Sequence, residues 1–178
     1  MEDELVPGRD CGGCTVCCVA LPIETAELRK LPGVACGHCG PRGCTIYDAR
    51  FPVCHDYHCG WRQLPQLGEE WRPDKSGVLV SPTGTEGVEL MVLTGESAIR
   101  RDGFAQFVAT SIVNGIAVYM TVPGPVGYYP ARVYLNDRLA LAVAQRDLAA
   151  IRALLSTVLA AAARHNFRPM DRRDEDGL

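Results

Sequence analysis

Cysteine is missing from everything after Cys59 in this chain of 178 residues. The larger part of the molecule must therefore hold itself together without disulfides or thiolate-bound metal. Basic surplus is missing too. The net charge is −3, with acidic and basic residues mixed, which argues against a nucleic-acid-binding surface. No apolar run approaches the roughly 20 residues that a helix needs to cross a bilayer, so no membrane partner is expected. The start, Met1-Glu2-Asp3-Glu4, lacks the basic and apolar segments of a signal peptide, and a cytoplasmic location is expected. Sequence marks of catalysis are also wanting. There is no G-x-S-x-G, no H-E-x-x-H, no phosphate-cradling G-x-x-x-x-G-K-[ST] and no dinucleotide-binding G-x-G-x-x-G, so no catalytic residue is assigned.

What is present is concentrated at one end. Nine cysteines fall at positions 11, 14, 17, 18, 36, 39, 44, 54 and 59. In a reducing compartment, clustered thiols of odd number point to metal ligation more than to a disulfide framework. Cys11, Cys14, Cys17 and Cys18 form a C-x2-C-x2-C-C run. A C-x2-C spacing lets two thiolates reach one ion while intervening amides stabilise the sulfur charge. Two such pairs make a tetrahedral zinc site, and three cysteines at this spacing also grip three corners of a four-iron–four-sulfur cube. The second group is Cys36, His38, Cys39 and Cys44, followed by Cys54 and Cys59. His38 lies between two cysteines and is counted as a ligand, whereas His55 and His58 are weaker candidates. The triple spacing favours iron–sulfur, the C-x-H-C knuckle favours zinc, and the choice stays open. Zinc takes four ligands, so eight or nine thiolates imply two sites or one cluster with cysteines to spare.

These residues resemble the zinc- or iron-chelating cysteine-cluster family with the C-x2-C-x2-C-C signature, the YkgJ-type proteins. Cys36 with His38, Cys44-Thr45-Ile46-Tyr47, Arg50 ahead of Cys54, and Cys59 near Trp61 follow in the family's order. Phe51 stands where the family has Pro, His55 where it often has Arg, and Cys39 is an addition. The resemblance covers about residues 11–61 and implies metal binding. Some members are described as iron–sulfur oxidoreductases, and a related cluster occurs in protein-lysine methylases. The roles left open are a structural or accessory metal protein, an electron-transfer component, and a cluster-dependent protein-modifying enzyme.

The chain divides by composition into a polar lead (1–10), a cysteine-cluster module (11–61), an α+β region (62–168) and a charged tail (169–178) expected to be disordered. The fold class expected is α+β, an irregular cysteine-rich metal-binding module packed on a small sheet with two or three helices. Ile23–Leu31 has helical character, with Thr25 as N-cap and Pro32–Gly33 as its stop. Gln63–Lys75, with Pro65 and Pro73, reads as a linker or loop. Val78–Ser81, Val88–Leu93, Ile116–Val122 and Ala131–Leu135 read as strands. Phe104, Phe107, Val108 and Ile112 recur at helical spacing, with Asp102 as cap and Asn114–Gly115 as stop. Asn136–Ala144 permits either a short helix or a strand. Leu148, Ile151, Leu155, Val158 and Ala162 line one helical face, and Asp147 is placed as its N-cap. Arg50 is read first as an anchor for loop carbonyls, Tyr47 and Trp61 as packing residues, Arg100–Arg101 as a solvated helix start, and His165 as a partner for a helix C-terminus.

Overall fold

The computed structural model describes residues 5–84 and 87–170. The chain has an α+β fold, organised by one four-stranded sheet. Its strands are β5 (Val78–Thr83), β6 (Gly87–Val92), β7 (Ala117–Val122) and β8 (Ala131–Tyr134), preceded in sequence by two short hairpins, β1–β2 (Ile23–Glu24, Arg29–Lys30) and β3–β4 (Cys39–Gly40, Gly43–Cys44). The sheet order is β5-β6-β7-β8. The β5–β6 and β7–β8 pairs are antiparallel, and β6–β7 is parallel. A parallel pair needs a crossover, and here α5 (Glu96–Ile99) and α6 (Phe104–Val113) supply it. Two further helices, α7 (Asn136–Ala144) and α8 (Leu148–Ala162), follow β8, and four short ones precede the sheet: α1 (Val16–Ala20), α2 (Pro52–Asp56), α3 (Gly60–Gln63) and α4 (Pro73–Ser76).

Alternation along the strands gives the sheet two different faces. Val78, Val80, Val88, Leu90, Val92, Val118, Met120 and Val122 join one apolar cluster with Ile99, Phe104, Val108, Leu139, Ile151 and Leu155 from the helices. Leu79 and Met91, equally buried, lie outside that cluster, and Leu79 helps to wall a cavity formed by the cysteine module. Ser81, two residues on, is hydrogen-bonded through Oγ to the Tyr57 hydroxyl at 2.8 Å. The module thus packs around β5, touching Leu79 and Ser81 on one face of the strand and Val80 on the other. At the junction Gly60 sits against Val80 so closely that an added Cβ would lie 2.6 Å from its Cγ1.

Long apolar-periodic segments fold as expected. The α8 helix begins where Asp147 accepts from the Ala150 amide at 2.9 Å, and Asn136–Ala144 is helical. Several local expectations are corrected. Ile23–Leu31 is a hairpin, not a helix: Ile23 pairs with Lys30, and the Thr25 hydroxyl bridges the turn by accepting from the Leu28 amide and donating to its carbonyl. Threonine's affinity for nearby backbone groups favours such a turn as readily as a cap. The α6 helix starts at Gly103 (φ +85°) with no side-chain cap, so Asp102 does not serve. Arg100–Arg101 follows α5; Arg101 donates to the Lys75 and Glu70 carbonyls. The expected linker is packed structure, since Leu67 and Trp71 are buried in the main core. The polar lead is tied down where described: the Val6 amide donates to the Arg62 carbonyl, and Arg9 donates to the Trp61 and Leu64 carbonyls. Pro169 bridges Tyr128 and Met170 is buried; the rest of the expected tail, 171–178, lies outside the described residues. His165 lies past α8, its ring edge-on to Phe167. Among the described residues no helix is long and apolar enough to cross a membrane.

Candidate functional site

Irregular backbone brings the cysteines together. The Cys14 amide donates to the Cys11 carbonyl, which closes the first turn, and α1 then carries Cys17 and Cys18. The Cys36 amide donates to the Cys18 carbonyl, so the second cysteine group is stitched to the first. Gly43, at φ +113°, presses onto the Gly12 carbonyl with no room for a Cβ; this close approach needs glycine and seats the β3–β4 hairpin, with Cys44, beside the Cys11–Cys14 turn. Cys54 rides on α2, and Cys59 stands at the start of α3.

All nine cysteines are unpaired and half-buried. Eight of them, Cys11, Cys14, Cys17, Cys18, Cys36, Cys44, Cys54 and Cys59, line one cavity of about 160 Å³, joined by His38, Tyr47, Arg50, Tyr57, Trp61 and Leu79 among others. Cys39, which faces Cys44 across the hairpin, is not in that wall. Neither are His55, which is exposed and paired with Asp56, and His58, whose Nδ1 lies 3.1 Å from Arg62 Nη1. The His38 ring packs on Phe51.

Charge around the thiols is unevenly set. Lys30 is buried and was not distinguished by any motif. Its Nζ donates to the carbonyls of Val19 (3.0 Å), Leu31 (3.3 Å) and Val34 (3.0 Å). Burial lowers its pKa, while Cys36, Cys18, Cys17 and Cys54 act in the opposite sense. Cys17 and Cys18 share a hydrogen bond. It is the main reason that Cys18 is held down to about 6, helped by the Lys30 and Arg50 charges; the same bond, then burial, pushes Cys17 well up. Burial raises Cys14, Cys54 and Cys59, although backbone amides oppose it by donating to two of them: Val16 and Asp74 to Cys14, Arg62 and Trp61 to Cys59.

Two donors on the cavity wall have no acceptor. Arg50 lays its guanidinium 3.9 Å over the Tyr47 ring, and its Nε is buried and unpartnered instead of anchoring loop carbonyls. Trp61, only 6% exposed, has an equally unpartnered Nε1. Leaving such a group unbonded costs about 1–3 kcal/mol. Both residues belong to the cavity wall.

These features fit a thiolate-bound metal centre in chemistry: soft sulfur donors, N–H groups that bond sulfur, and nearby cations to offset thiolate charge. The sulfurs nonetheless ring a cavity and do not converge on a point. Among the described residues no group of three or more Cys, His, Asp or Glu side chains is arranged as a ready-made site for one ion. Tetrahedral zinc with Zn–S near 2.3 Å needs its sulfurs about 3.8 Å apart. No family model matches the chain, and no curated protein or solved structure matches it either.

Proposed function

We propose that this is a metal-binding cysteine-cluster protein, akin to the YkgJ-type family, that holds zinc or an iron–sulfur centre through cysteine thiolates in a structural or accessory role in the cytoplasm. The observation that carries the reading is the gathering of eight thiols, from positions as distant as Cys11 and Cys59, around one cavity. The ligands proposed are those eight, with His38 on the wall as a reserve donor; Cys39 is left aside. A zinc centre supplies folding free energy and no redox chemistry, whereas an iron–sulfur centre adds electron transfer.

The chain's own contributions follow from its geometry. Lys30 and Arg50 offset thiolate charge, the amides of Val16, Trp61 and Arg62 bond to sulfur, and Leu79 with the other apolar wall residues limits water. A second reading, an electron-transfer or oxidoreductase component, draws support from the unpartnered Arg50 Nε and Trp61 Nε1, because hydrogen bonds to sulfur tune the potential of iron–sulfur centres. Anaerobic purification, elemental analysis and a visible spectrum test both. A colourless, zinc-loaded protein removes the electron-transfer reading. Iron with matching acid-labile sulfide removes the zinc form, and a chain that retains no metal above background overturns the proposal.

A further inference from the structure

Cys39 is the one cysteine that the proposed centre does not use, yet the β3–β4 hairpin fixes its position closely. Cys39 pairs with Cys44 across the hairpin, and Gly40 pairs with Gly43. The Thr45 amide donates to the His38 carbonyl at 2.9 Å, and the Thr45 hydroxyl donates to the same oxygen at 3.1 Å. An amide bond from the residue after Cys44 to the residue before Cys39 marks the two cysteines as a non-hydrogen-bonded pair. In such pairs the Cα atoms stand about 4.5 Å apart, and the side chains share one face at their closest approach. A disulfide spans Cα separations of about 4.4–6.8 Å, so the hairpin register brings these thiols within bonding reach. Gly43, pressed on the Gly12 carbonyl, holds the hairpin in place. Both thiols are free and half-buried; Cys44 borders the cavity and Cys39 does not. Cys36 is the rival partner, in a turn that the Cys39 amide closes on the Cys36 carbonyl, but the direct cross-strand register favours Cys44.

We propose that Cys39 and Cys44 are a redox-active thiol pair, and that closing their disulfide takes Cys44 out of the set of metal donors. The loss of a donor rests on the metal-binding reading; the bond itself does not. The oxidant is a low-molecular-weight disulfide such as oxidised glutathione. The Cys39 thiolate, outside the cavity wall, attacks one glutathione sulfur and releases the other glutathione as a thiol. The Cys44 thiolate then attacks Cys39 Sγ in this mixed disulfide, and the second glutathione leaves as a thiol. One protein disulfide forms and one glutathione disulfide is reduced: the two protein thiols give up two protons and two electrons, which end on two glutathione thiols. A disulfide sulfur has lost the thiolate charge with which cysteine binds a metal, so Cys44 no longer serves as a ligand. Excess thiol reverses both steps.

Peptide mapping of the full-length chain tests the pair. Cleavage after Lys30, Arg42 and Arg50 puts Cys36 and Cys39 on peptide 31–42 and Cys44 on peptide 43–50. After treatment with excess oxidised glutathione the two peptides should appear as one linked species, which dithiothreitol separates. The link should persist in Cys36→Ser and vanish in Cys39→Ser. A bond inside peptide 31–42, between Cys36 and Cys39, overturns the pair, and so does a chain in which Cys39 and Cys44 stay unlinked; the map of the parent chain decides this without any variant. Metal content, measured on the same anaerobically isolated samples, should fall as the linked fraction rises and stay higher in Cys39→Ser. Full retention of metal in a fully linked chain overturns the withdrawal of Cys44. A chain that holds no metal before treatment overturns the metal-binding reading instead, and the peptide map still decides the pair.

Discussion

Residues 5–61 place one side chain, Trp61, in the buried apolar core; every other member of that core lies between Leu67 and Met170. The later region is an ordinary hydrophobic fold, with strand valines and leucines packed against Phe104, Ile151 and Leu155. The earlier region is joined by turns, two-residue strands, one buried lysine and a ring of thiols. The difference teaches that two sources of stability serve one chain. Apolar burial at roughly 25 cal/mol per Å² supports the sheet and helices, whereas the cysteine module lacks the buried surface to offset the cost of ordering its own backbone and depends on docking around β5 and, in the metal-binding reading proposed above, on a bound centre.

The comparison breaks most sharply on metal removal. A strong chelator should cost the module on the order of 10 kcal/mol if the centre is structural zinc. Amide hydrogen exchange should then rise across 11–59 while β5–β8 and α8 stay protected. Equal protection of both regions after stripping would falsify the division of labour. Next in size is a lesion confined to the later region. Leu155 is fully buried, and Leu155→Ala should cost about 2–5 kcal/mol, measured by denaturant unfolding, with metal content unchanged. Loss of metal alongside stability would mean that the regions fold as a single unit. The junction comes third. Gly60→Ala forces a Cβ against Val80 and should cost about 1–3 kcal/mol, with faster exchange in both regions; an effect in only one of them would show that the interface does not couple them. The smallest effect expected is at the α8 cap, where Asp147→Ala should cost about 1 kcal/mol, read as a lowered melting temperature with no change at the thiols.

Legibility followed the same boundary. Where a period repeats over many residues, as in Leu148–Ala162 or along β7, the pattern of burial could be read directly, and even the Asp147 cap was visible. Where apolar repetition is short, local cues misled. Thr25 with the following polar residues suits either a helix cap or a tight turn, and only the pairing of Ile23 with Lys30 decides between them. Pro65 and Pro73 resemble linker punctuation, yet Leu67 and Trp71 are held in the core. In the candidate site the cysteine spacing singled out thiols of which the structure brings eight to one cavity. It did not reveal Tyr57 or Leu79, which join the cavity wall through folding and not through any motif, or the buried Lys30, held on the Val19, Leu31 and Val34 carbonyls.

By itself the sequence determined that all nine thiols lie in one end of the chain, several of them at short regular spacing. It also determined the long helices and strands, because their periodicity is a local property. Tertiary structure alone decided that Cys39 stands outside the cavity wall that the other eight share, that a buried lysine and two unsatisfied N–H groups lie near the thiols, and that the module packs around β5. The physical reason is that charge compensation and close approach depend on distances through space, which adjacency along a chain does not encode.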